Sequence, residues 1–167
     1  MGASVIIRDE ISADVAVIAK LITTAFAPMP YSSQTEAQIV ARLREAASLT
    51  LSLVEVEDGD LVGHIAFSPV TVGGRDMGWF GLGPVAVRPD RQGRGLGDAL
   101  VRAGLARLTA RGAGGCVLLG DPKYYDRFGF AVIPGLTYNG APARYFQALS
   151  LCGETPGGEV AYHAAFG

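Results

Sequence analysis

Residues 82 to 104 read LGPVAVRPDRQGRGLGDALVRAG. A short apolar strand, Leu82 to Val87, runs through Arg88-Pro89-Asp90 into Gln92-Gly93-Arg94-Gly95-Leu96-Gly97, and a helical pattern starts at once. Glycines at every second position let the backbone curl and keep side chains out of a ligand's way. The amides of such a loop, with those of the following helical turn, converge on one point. Unpaired N–H groups and the helix dipole give that point partial positive charge, which suits a phosphate. Arg91 and Arg94 add full charges beside it. The stretch predicts an anion cradle between a strand and a helix.

The spacing narrows the choice of anion. The dinucleotide fingerprint G-x-G-x-x-G fails at Asp98, and the chain has no Gly-Lys-Ser/Thr triplet of the P-loop kind. The loop instead resembles the acetyl-CoA motif of the GNAT N-acetyltransferases, Gln/Arg-x-x-Gly-x-Gly/Ala, matched as Gln92-x-x-Gly95-x-Gly97. A second motif follows. The apolar run Gly115 to Gly120 reads as a buried strand, and Asp121 to Phe130 after it resembles the family's Tyr-x-Arg/Lys-x-Gly-Phe ending through Tyr125, Arg127, Gly129 and Phe130. Two motifs in this order are more specific than either alone. The details (Leu-Gly-Pro-Val-Ala-Val, Leu-Leu-Gly-Asp-Pro-x-Tyr-Tyr, Tyr-Phe-Gln-Ala-Leu) are most similar to the YhbS-like branch, and the resemblance covers residues 3 to 166.

Outward from these motifs, 167 residues form one domain, residues 1–167, large enough to bury a real core. Hydrophobic content of 49% with 18% charge argues against disorder. A net charge of −2 gives no reason to expect a nucleic-acid partner. Two cysteines make no disulfide framework. No stretch is apolar for long enough to span a bilayer, so the expectation is a cytoplasmic protein without a membrane partner. The 23 glycines cluster at turns between short elements.

In chain order, Ser4 to Arg8 reads as a strand. Ser12 is placed to cap a helix through Ile18, Leu21, Ile22 and Phe26, and Ser33 with Glu36 gives a capping-box pattern for a second helix. Leu49 to Val56 and Leu61 to Val72 form a hairpin over Asp58-Gly59, and Gly73-Gly74 turns the chain into the strand ending at Val87. The helix Leu96 to Arg111 crosses to a parallel strand, Cys116 to Leu119. The tail offers strands Tyr145 to Leu151 and Glu159 to Phe166 joined as a hairpin. The expected class is α/β (α+β), GNAT-like: a mixed, mostly antiparallel central sheet of about seven strands with about four helices, splayed between the fourth and fifth strands. Pro84 fits such an opening, since proline interrupts a ladder.

The resemblance implies a site residue by residue. Gln92, Gly93, Arg94, Gly95, Leu96 and Gly97 hold a pyrophosphate, and Arg127 joins the cofactor-binding set. The backbone of Val85, Ala86 and Val87 pairs with the pantetheine arm, with the Val85 amide facing the thioester carbonyl. Tyr125 is the general acid, a phenol that keeps its proton at neutral pH and yields it to a thiolate. Asp121-Pro122 stands where the family usually has Asn, so the short helix is expected to start late. His64 is the candidate base for the acceptor amine, with Glu55 and Glu57 as lesser candidates, and Tyr31 lies on the wall expected for the acceptor. His163 reads as a strand-face residue. No His/Cys/Asp cluster has metal-ligand spacing.

The reaction implied is direct transfer of acetyl from acetyl-CoA to a primary amine of a small molecule or peptide in a ternary complex, by a monomer or homodimer. The other reading is a non-catalytic acyl-CoA-binding sensor or interaction domain.

Overall fold

The computed structural model describes residues 4–167. An eight-stranded, mostly antiparallel sheet runs in the order β1-β2-β3-β4-β5-β7, with β8 joined to β3 and β6 to β8. The chain divides into two compact units, one formed by the chain up to Phe67 with Gly83–Gly104, the other by Ser68–Leu82 with Leu105–Gly167.

The first unit holds β1 (Val5–Asp9), α1 (Val15–Phe26), α2 (Glu36–Glu45) and β2 (Leu51–Glu57). It also takes the first part of β3 (Asp60–Val72), the end of β4 (Arg75–Val87) and the start of α3 (Leu96–Ala110). β1 pairs antiparallel with β2 from Val5↔Glu57 to Asp9↔Leu53. The hairpin turn is built by Asp58 and Gly59, both at positive φ (50° and 86°), as a tight two-residue connection needs. A register shift follows: Leu61 lies opposite Val56 and Gly63 opposite Glu55, so Val62 is an extra residue on β3. Ile18, Leu21, Ile22 and Ala25 of α1 and Val40 of α2 close over Val54, Ala66 and Ala86. Gly104 of α3 meets the ring edge of the buried Phe67.

Both expected N-caps differ. Ser12 opens a short 3-10 turn, Ser12–Asp14, and the Asp14 carboxylate accepts from the Ile11 amide at 2.8 Å while pairing with Arg8 at 2.7 Å. At α2 the Ser33–Glu36 box does not form; Ser32 Oγ reaches Glu36 instead, at 2.7 Å. In both places a neighbouring short polar side chain takes a local backbone donor, Asp14 from the Ile11 amide and Ser32 from the Gln34 amide.

The second unit contains β5 (Gly115–Leu119), α4 (Pro122–Tyr125), β6 (Leu136–Thr137), β7 (Phe146–Ser150) and β8 (Gly158–Ala161). β4 and β5 are parallel, from Trp79↔Gly115 to Gly81↔Val117. There the ladder stops, although β4 runs on to Val87 and β5 to Leu119. The Trp79 indole lies flat on Gly114 and Gly115, inside a core with Val70, Val72, Val117, Phe146 and Val160.

The tail is not a hairpin. β7 pairs with β5, from Gly115↔Ser150 to Leu119↔Phe146. β8 pairs with β3 at Thr71↔Ala161 and Val72↔Val160, and with the unforeseen β6 at Leu136↔Gly158. β8 ends at Ala161, so His163 is not on a strand; its Nδ1 accepts from the Ala165 amide and caps a last 3-10 turn. Among the described residues no helix is long and apolar enough to cross a membrane.

Candidate functional site

The glycine loop adopts the open form its spacing demands. Gly93 and Gly95 sit at φ 78° and 81°, where a side chain is strained, and a Cβ on either would meet nothing within 4 Å. Among the described residues, no side chain beyond the immediate chain neighbours comes within 4 Å of those two Cβ positions. Pro89–Arg91 make a 3-10 turn, and Gln92 Nε2 donates to the Val87 carbonyl at 3.0 Å, tying the loop to the end of β4. The Ala99 amide donates to the Gly95 carbonyl at 3.1 Å and so starts the α3 ladder. The Leu96 and Gly97 amides before it have no carbonyl one turn back. Their N–H groups and the helix dipole favour an anion.

The loop's arginines are already engaged. Arg91 Nε lies 2.7 Å from Glu57 Oε1 and Arg94 NH2 3.5 Å from Glu57 Oε2, while Arg88 pairs with Asp90 at 2.6 Å. Glu57 is 6% exposed, so one buried carboxylate anchors two guanidinium groups beside the turn.

The end of β4 presents its backbone in a definite sense. The Arg88 amide donates to the Val62 carbonyl of β3 at 2.8 Å. By the two-residue alternation of a strand, the main-chain groups of Val85 and Val87 point to the edge away from β3, and Val87 does accept there from Gln92. Ala86 turns its side chain into the α1–α2 core. The Gly83–Pro84 peptide is cis.

In the second unit α4 begins directly after β5, not late. Asp121 caps it by accepting from the Lys123 amide at 3.0 Å, and Pro122 takes the first helical position, which has no need of an N–H donor. The Tyr125 ring lies against Gly120, where a Cβ would come within 2.5 Å of Cε2, and stands about 6.1 Å from the rings of Phe128 and Phe130. Tyr124 stacks edge-on at 4.8 Å, and the Arg127 guanidinium covers the Tyr124 ring at 4.4 Å. Tyr125 is therefore held in one orientation at the end of β5. Tyr31 is exposed.

His64 is fully buried in the first unit. Its Nε2 lies 2.8 Å from Ser52 Oγ, and its Nδ1 has no hydrogen-bond partner among the described residues. Ser52 donates to Glu10, whose carboxylate is gripped by Arg44 at 2.9 Å through both Nε and NH2. Burial drives the imidazole pKa down to about 4; the Glu10 charge opposes the shift and Arg44 adds to it. Beside this chain opens a cavity of about 280 Å³, lined in part by Asp9, Glu10, Arg44 and Ser52. Across β2, Glu55 is also fully buried and neither carboxylate oxygen has a partner among the described residues; burial, then the neighbouring Glu57 charge, raises its pKa to about 7. Glu10, Ser52 and Arg44 were not singled out from sequence, because their meeting with His64 depends on the β2–β3 register.

Among the described residues no group of His, Cys, Asp and Glu is arranged to hold a metal ion. Residues 7–133 match the model of an acetyltransferase (GNAT) domain. The chain belongs to the GNAT acetyltransferases. It is 44% identical to the N-acetyltransferase YhbS of Escherichia coli (strain K12) over 75% of this chain and 72% of that one. Among solved structures, a GNAT family acetyltransferase from Brucella melitensis in complex with acetyl-CoA superposes with TM-score 0.89 at 52% identity, covering 98% of this chain and 99% of that one. E. coli YhbS in complex with CoA superposes with TM-score 0.91 at 36% identity, over 99% and 93% of the two chains. The GNAT fold accounts for the four helices, the parallel β4–β5 pair and the open sheet described above.

Proposed function

We propose that this GNAT protein, as one domain over residues 1–167, transfers an acetyl group from acetyl-CoA to a primary amine of a small-molecule or peptide acceptor, by direct attack within a ternary complex in the cytoplasm. The observation that carries the reading is the unobstructed loop at Gly93 and Gly95, set between the outward backbone edge of Val85 and Val87 and the first turn of α3.

The donor fits these residues: the loop is open where a phosphate must sit, and the available partners are main-chain amides. Gln92 to Gly97 would hold the diphosphate, with Arg94 and Arg127 as charged supports, and Val85 to Val87 would align the arm. Acetyl-CoA supplies an acyl thioester. The Val85 amide donates a hydrogen bond to the carbonyl oxygen, which needs it most as charge develops there. Tyr125 holds a phenolic proton for the departing sulfur. His64 takes a proton from the acceptor, leaving a nitrogen lone pair free to attack.

Release of free thiol from acetyl-CoA, followed against a panel of amines, tests the reading. Tyr125→Phe is expected to keep CoA affinity and lower kcat by about 10²–10⁴-fold, the usual worth of a general acid. Wild-type protein that binds CoA but releases no thiol with any amine would instead make this a binding domain.

A further inference from the structure

We propose that Ser52 and Glu10 are positioning residues for His64: they hold its imidazole in the tautomer with the proton on Nε2, leaving Nδ1 bare to receive the acceptor's proton. The inference rests on His64 being the base in the reading above.

The donors can be ordered from one end of the chain. Arg44 has only N–H groups to give, and it spends two on Glu10 at 2.9 Å each. Burial pushes the Glu10 carboxyl up, but its hydrogen bonds to Arg44 and Ser52 and the nearby positive charge outweigh that, so its pKa lies below the usual range and it is ionised. An ionised carboxylate only accepts, so the single Ser52 hydroxyl proton points to Glu10. Ser52 Oγ then has only lone pairs left for His64 Nε2, 2.8 Å away, and the proton in that contact must belong to the imidazole. A neutral imidazole carries one N–H, so Nδ1 is an acceptor. It is buried and unpartnered among the described residues, a costly state for a polar atom.

The charged groups facing the ring are Glu10, at the end of β1, and Arg44, from α2. Burial keeps the ring neutral at rest, the form a proton acceptor needs. In the step itself, one N–H bond of the acceptor's ammonium breaks and an Nδ1–H bond forms. The imidazolium keeps donating through Nε2 to Ser52, and Ser52 to Glu10, so the new positive charge faces a carboxylate through one hydroxyl. The acceptor's nitrogen keeps the electron pair of the broken N–H bond and uses it to attack the thioester.

Nitrogen-15 NMR of the full chain, labelled at histidine, reads the tautomer directly. The expected spectrum at neutral pH shows His64 protonated on Nε2 alone. Ser52→Ala should mix the two tautomers and lower kcat about 10–100-fold with the KM for acetyl-CoA unchanged. Ser52→Thr, which restores a hydroxyl, should recover both. A wild-type ring protonated on Nδ1 overturns the proposal, as does a Ser52→Ala protein with an unmixed tautomer and wild-type kcat. Full activity in His64→Gln, with the wild-type ring still protonated on Nε2, removes the base reading and reduces the lock to a structural feature.

Discussion

Phe67 of β3 lies with its ring edge directly over Gly104 of α3, so that a Cβ at residue 104 would collide with both Cε2 and Cζ. Phe67 is fully buried. Alanine in place of a mid-helix glycine ordinarily stabilises by about 1 kcal/mol. Here overpacking, worth about 1–3 kcal/mol and toward the upper end for two blocked ring atoms, wins. Gly104→Ala should lower the denaturant midpoint, and Phe67→Leu in that background should recover part of the loss. A stabilised Gly104→Ala protein would contradict the close approach.

Trp79 and Gly115 make the same arrangement in the second unit, with three indole carbons over the glycine. Gly115→Ala should destabilise by about 1–3 kcal/mol and move the tryptophan fluorescence maximum, since Trp79 is the chain's sole tryptophan. An unchanged emission spectrum would show that the ring was never seated there.

Gly95 and Gly59 separate backbone strain from ligand binding. Both sit at positive φ with open space around a notional Cβ, so alanine at either should cost about 1–2 kcal/mol of stability. Only Gly95→Ala should weaken CoA binding, about tenfold or more by calorimetry, because rotating that residue turns its neighbours' amides away from the common point. Equal CoA affinities in the two variants would remove the loop from the donor site.

Glu55 and His64 set opposed pH dependences. Glu55 titrates at about 7 against an ordinary 4.5, so its contribution to stability is whole below about 4.5 and is lost as pH rises through about 7. His64 titrates at about 4 against an ordinary 6.5, so its contribution is whole above about 6.5 and is lost as pH falls through about 4. Between pH 4.5 and 6.5 the two slopes oppose each other. Thermal melts should show the Tm of Glu55→Gln rising with pH across that window and the Tm of His64→Gln falling, relative to wild type. Parallel curves for all three proteins would mean that neither group is buried as described.

Much of this was legible in the residues themselves, for identifiable reasons. The open glycine turn could be read because Gly93 and Gly95 adopt a backbone that other residues avoid, and the hairpin turn because Asp58-Gly59 does the same. The chain behind His64 could not. Counting outward from Asp58-Gly59 without interruption places His64 opposite Leu53, on the face that carries Glu55. The extra residue Val62 shifts the register, so that His64 lies opposite Val54 and on the face of Ser52. No local composition announces that bulge. The tail failed for a related reason: β7 and β8 are adjacent in sequence, but each finds its partner elsewhere.

Glu57, fixed between Arg91 and Arg94, means that the protein brings its own counter-ion to the glycine turn. On the proposed reading, an incoming diphosphate must compete with an internal carboxylate instead of settling on bare positive charge, so the direction of main-chain amides decides what stays. Polyanions such as heparin should gain little hold at this spot, and added salt should weaken CoA binding only gently. Glu57→Gln would lift that restraint, steepening the salt dependence and admitting anions the native loop turns away.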